Sequence, residues 1–120
     1  MTDESGKGLL TSKEVPEWFT YPPGFLRIYN QGLVNFEPWK IIKEDRLRYR
    51  LQGLKNRYPK RNVIPFAERQ DNDDVACFEK GVVGVVIIHD YASQGWESRE
   101  GFDSFWDWLR SALEETIYWD

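Results

Sequence analysis

Val75-Ala-Cys-Phe-Glu79, Lys80-Gly81 and Val82-Val-Gly-Val-Val-Ile-Ile-His89 read as the arms and turn of a β-hairpin, with the glycine allowing positive φ at the turn. The second arm lacks polar alternation, which predicts a central strand covered on both faces. Gly84 inside it predicts a bulge or the close approach of another backbone. Working outward, Asn62 to Ala67 reads as a further strand with an irregularity at Pro65, and Gln70-Asp71-Asn72-Asp73 is a strong turn signal between that strand and the hairpin.

The flanks of this strand cluster are helical. From Asp45 onward, Leu47, Leu51, Leu54 and Tyr58 recur at steps of four, three and four, so one narrow stripe of a helix is apolar. Arg46, Arg48, Arg50, Lys55 and Arg57 occupy its remaining surface, and Tyr58-Pro59 ends it because the residue before proline disfavours helical backbone. Gly53 lies outside the stripe, lowers helix propensity by about 1 kcal/mol relative to alanine, and has no explanation in the sequence. From Phe105 to Ile117, one arc holds Phe105, Trp108, Leu109, Ala112, Leu113 and Thr116, with Asp103 or Ser104 as the cap. Nearer the amino terminus, Pro23 to Tyr29 predicts a short helix; Leu33 to Phe36 and Trp39 to Ile42 predict a strand pair or one bent strand broken by Pro38. Residues 1–14 are expected as a flexible tail and residues 15–120 as the domain.

The chain has 120 residues, 41% hydrophobic and 30% charged, with a net charge of −4, values that describe one compact domain able to bury a real core. A single cysteine, Cys77, excludes an internal disulfide, and no apolar run is long enough to span a membrane. With no signal-peptide pattern at the start, these features predict a cytoplasmic location. Charge is uneven: residues 1–39 carry three basic and five acidic side chains, residues 40–61 nine and two, and residues 62–120 four and thirteen.

Several strings, in this order, resemble the SUKH superfamily, the immunity and cell-wall-synthesis-regulator-like domains of bacteria and fungi. They are Pro23 to Gly32 closing on Asn30-Gln31-Gly32, then Trp39, then Ile64-Pro65-Phe66-Ala67, the acidic turn Asp71 to Asp74, the hairpin from Val75 to His89, and Phe102-Asp103-Ser104-Phe105-Trp106-Asp107-Trp108-Leu109. The resemblance covers roughly residues 15 to 116. It implies an α+β fold with a mainly antiparallel sheet flanked by helices, and a role as a bacterial, cytoplasmic immunity protein that binds a cognate polymorphic toxin. These residues are packing and turn residues, so the resemblance carries over no catalytic residue, metal or cofactor.

No enzymatic site emerges from the residues themselves. His89, Asp90 and Ser93 are the side-chain types of a hydrolase triad, but strand neighbours point to opposite faces. Cys77 and His89 fall short of a zinc set. Counting twelve positions from Asp71 puts Ala76 and Val82 where a calcium loop needs glycine and glutamate. The partner-binding candidates are Trp96 and Tyr91, an aromatic pair on the loop Asp90 to Gly101, with Glu97 and Glu100 beside them and Asp71, Asp73 and Asp74 at the acidic turn. Trp96 is the expected anchor, and the acids are expected to steer a basic, nuclease-type toxin. Two alternatives stand beside this: a regulatory scaffold of the wall-synthesis type, and a nucleic-acid binder using the Arg46 to Arg57 helix, which the net negative charge disfavours. The chain is expected to be a monomer or a weak homodimer.

Overall fold

The computed structural model describes residues 6–119. In chain order its elements are α1 (Pro23–Asn30), β1 (Asn35–Phe36), β2 (Trp39–Ile41), α2 (Glu44–Arg57), β3 (Val63–Arg69), β4 (Asp74–Glu79), β5 (Val85–His89), β6 (Ser98–Phe102) and α3 (Phe105–Ile117). The six strands form one sheet in sequence order, every neighbouring pair antiparallel. This is an α+β fold with an antiparallel sheet flanked by helices. No helix among the described residues is long and apolar enough to cross a membrane.

The helices start and stop where their sequences direct. The Ser104 side chain accepts the Asp107 backbone N–H at 3.0 Å and so caps α3. Pro23 opens α1, where its missing N–H has no intrahelical partner to lose, and α2 ends at Arg57, two residues before Pro59.

The hairpin differs from its sequence pattern at one point. Its second arm begins at Val85, not Val82, and Val82 and Val83 are exposed. Gly84 explains the delay: its φ is +94°, and a Cβ there would lie 2.2 Å from the Phe102 carbonyl oxygen. The close approach expected at Gly84 is made by the end of β6, a strand that takes up the last residues of the expected loop Asp90 to Gly101 and ends one residue beyond it, at Phe102. Ser98-Arg99-Glu100-Gly101-Phe102 offers almost nothing to bury, because it forms the sheet edge, where charge is tolerated.

A bulge in β3 sorts the side chains between the two faces of the sheet. Pro65 pairs with Cys77 and Ala67 with Ala76, leaving Phe66 as the extra residue. One inserted residue reverses the alternation beyond it. Phe66 therefore stacks on Phe78 of β4 at 4.4 Å, while Glu68 turns to the opposite face and meets α2. On the Phe66 face, Phe25 of α1 and Phe105 and Trp108 of α3 close an aromatic core. On the other, α2 buries Leu47, Leu51 and Leu54.

The domain boundary expected between residues 14 and 15 does not mark a change in packing. Residues 1–5 of the expected tail lie outside the described residues, but Leu9 and Leu10 are buried in the core. The Tyr29 hydroxyl donates to the Lys7 carbonyl, Leu10 N–H donates to the Tyr21 hydroxyl at 3.3 Å, and Glu14 pairs with Arg48 at 2.7 Å. Two adjacent leucines carry no periodicity, so burial of the segment depends on partners far along the chain.

Candidate partner-binding surface

The acidic turn and the aromatic loop, both singled out in the sequence, emerge at the same end of the sheet. The register requires it: Asp74 pairs with His89, so the turn entering β4 adjoins the loop leaving β5. The contact is direct, with Asp90 N–H donating to the Asp73 carbonyl at 2.9 Å.

Beneath this end lies a charge network that the sequence reading did not include among site residues. Asp90 is 1% exposed and accepts from Arg50 at 2.6 Å and from Arg57 through two contacts of 2.6 Å. Arg50, itself 6% exposed, also donates to Glu68 at 2.7 Å, and Arg46 reaches the same carboxylate at 2.9 Å. Burial would raise the Asp90 carboxyl, but hydrogen bonds from Arg57, Arg50 and the Tyr91 N–H prevail and hold it below its ordinary value. Glu68 is likewise lowered, with the hydrogen bonds from Arg46 and Arg50 overcoming its desolvation. Gly53 now has a reason. A Cβ at this position would lie 2.4 Å from the Arg57 guanidinium, which Asp90 fixes in place.

The network pins the loop that follows it. Tyr91 has φ +68°, in the left-handed region that tyrosine rarely adopts, and its N–H is held by Asp90 Oδ1 at 2.8 Å. Its ring lies 4.2 Å from the Arg57 guanidinium carbon, in cation–π geometry. The Tyr58 hydroxyl donates to the Ala92 carbonyl at 2.7 Å, and Gly95 N–H to Glu97 Oε1 at 2.7 Å. Trp96, two residues before β6, is 77% exposed, and its ring stacks on no other aromatic among the described residues.

The sequence candidates therefore divide. Trp96, Tyr91 and Asp73 are exposed at this end, and the Asp73 carboxylate has no partner among the described residues. Glu97, expected as an exposed steering charge, is instead buried: it accepts from Gly95 and from Arg61 at 3.2 Å. Desolvation opposes its charge, but these contacts keep its carboxyl below the usual range. Asp71 is held by Arg69 at 2.7 Å and Asp74 by His89 Nδ1 at 2.7 Å, so neither presents a free charge. Glu100 is exposed in β6, along the sheet edge and away from the loop tip.

The same geometry bears on the other chemistries considered. His89 contacts Asp74, whereas Asp90 belongs to Arg50 and Arg57, so the sequence neighbours His89 and Asp90 are not partners. Cys77 pairs in register with Val86 rather than His89, and burial pushes its thiol pKa up. No cluster of three metal-ligating side chains occurs among the described residues. On the α2 surface, Arg46, Arg48, Arg50 and Arg57 are each engaged by carboxylates of this chain, so little of the positive charge counted there is available to a polyanion. No protein-family model, curated protein or solved structure matches the chain.

Proposed function

We propose that this chain is a protein-binding module of the immunity type, which sequesters a cognate protein toxin through the end of the sheet that carries Trp96, Tyr91 and Asp73. The observation that carries this reading is a large, exposed indole on a loop pinned by two buried carboxylates, Asp90 and Glu97. An exposed tryptophan held on an ordered loop loses little conformational freedom on binding, which is what an interface anchor requires. The toxin as partner rests on the resemblance of the sequence strings. The exposed Asp73 at the same end of the sheet suits a basic partner such as a nuclease-type toxin. The scaffold alternative would use the same surface without inhibiting anything.

The test is co-expression with the product of the adjacent gene, followed by binding kinetics on the purified pair. Trp96→Ala is expected to speed dissociation and to abolish protection of cells, whereas Asp73→Lys mainly slows association. Full protection by Trp96→Ala, with unchanged rates, would overturn this assignment of the surface. Binding without protection would favour the scaffold.

A further inference from the structure

A second surface lies at the opposite end of β4, around Trp18. This half-buried residue separates two clefts. One, with a volume of about 390 Å³, has Leu51, Val63 and Ile64 as its floor and Lys55 at its rim. The other, of about 330 Å³, is lined by Phe19, Phe78 and Val82, with Lys80 at its rim. Val83, next to Val82 in the turn between β4 and β5, is 89% exposed.

The charges here have an unequal disposition. The acids facing the clefts are already engaged: Glu14 by Arg48 at 2.7 Å, and Glu79 by Arg61 at 2.7 Å. The Glu14 carboxyl is held down at about 2, first by its hydrogen bond from Arg48. Lys55 and Lys80 have no carboxylate partner among the described residues. Among the residues that line the clefts, the charge left for a ligand is therefore positive, and it borders apolar walls on both sides of an indole.

From this we infer that the two clefts flanking Trp18 form a docking site for a short acidic peptide segment of a partner protein, with one apolar side chain seated on each side of Trp18 and carboxylates meeting Lys55 and Lys80. The site is distinct from the Trp96 surface and opposite to it in charge preference, although Arg61, which lines the first cleft, also holds Glu97 at 3.2 Å. A single chain could thus hold two partners, or two parts of one.

The probe is a hexapeptide, Asp-Phe-Glu-Leu-Asp-Leu, titrated into the isotope-labelled full chain. The control is Lys-Phe-Lys-Leu-Lys-Leu, which keeps the apolar residues and reverses the charge. The acidic peptide is expected to shift the Trp18 indole and the amides of Leu51, Val63 and Val82, with an affinity at least about tenfold above that of the basic one. Lys55→Glu with Lys80→Glu, both exposed positions that leave the core untouched, should remove at least about tenfold of that affinity and weaken its salt dependence. Shifts elsewhere, equal affinity for the two peptides, no shift at millimolar peptide, or binding unaffected by the double substitution would each overturn the site.

Discussion

The face of the sheet beneath α1 and α3 is filled with rings, whereas the face beneath α2 sets two arginines and two carboxylates among leucines. Phe25, Phe66, Phe78, Phe105 and Trp108 contact one another at centroid distances between 4.4 and 6.5 Å, in stacked, edge-on and tilted arrangements. Their stabilisation comes from area and packing density, and the arrangement tolerates one imperfection: the buried Trp108 indole N–H has no acceptor among the described residues. On the α2 face the polar atoms are saturated, since Arg50, Arg57, Glu68 and Asp90 satisfy one another. A buried ion network is a weak source of net stability, because the attraction must offset desolvation. What it supplies here is direction: it ties α2 to the first residue of the 90–97 loop and fixes where Trp96 projects.

This contrast can be broken or sharpened by substitution. The largest effect is expected from Phe66→Ala, which opens a cavity where α1, β4 and α3 meet and should destabilise by about 3–5 kcal/mol in chemical denaturation, with little dependence on pH. A loss below about 1 kcal/mol would show that the rings do not form one core.

Asp90→Ala comes next, at about 3 kcal/mol near neutral pH, because it leaves Arg50 and Arg57 without their shared counter-charge. Its cost should shrink in acid, unlike that of Phe66→Ala. The native Asp90 carboxyl lies below its ordinary value of 3.8, so the stability it contributes is complete above that value and is lost as pH falls through the lower native one. Thermal melts of parent and variant between pH 7 and pH 2 check this. A gap that stays constant through the acid range would mean that Asp90 acts by packing and not by charge.

Gly53→Ala is smaller and has an unusual sign. An unhindered helical glycine gains about 1 kcal/mol on replacement by alanine, but here the added methyl collides with the clamped Arg57, and a net loss of roughly 1 kcal/mol is expected. In an Arg57→Ala background the ordinary gain should return. A double-mutant cycle measures both, and additivity of the two substitutions would refute the account of Gly53.

The smallest effect belongs to Trp96→Ala, which should change stability by less than about 0.5 kcal/mol although the residue sits in the loop that the network anchors at Asp90. A larger change would show that the indole props up the loop and is not held out for a partner.

The sequence by itself determined the elements whose signals are local. The leucine stripe and Pro59 placed α2, the arc from Phe105 together with Ser104 placed α3, and the β-branched run placed the centre of the hairpin. In each case the information lies within a few residues, as periodicity, a cap or a forbidden backbone conformation. Trp96 was also legible, because a large aromatic outside any period has no built-in reason to be buried.

Tertiary structure alone decided what depended on distant partners. β6 forms because β5 offers an edge, not because Ser98 to Phe102 favour a strand. Leu9 and Leu10 are buried because α1 and the Tyr21 segment receive them. Above all, charges carry no address in a sequence. The same pattern permits Glu97 to face solvent or Arg61, and the helix arginines to be free or paired. Only the bulge at Phe66, which turns Glu68 toward α2, and the register that sets Asp74 against His89 settle which carboxylates become frame and which remain available to a partner.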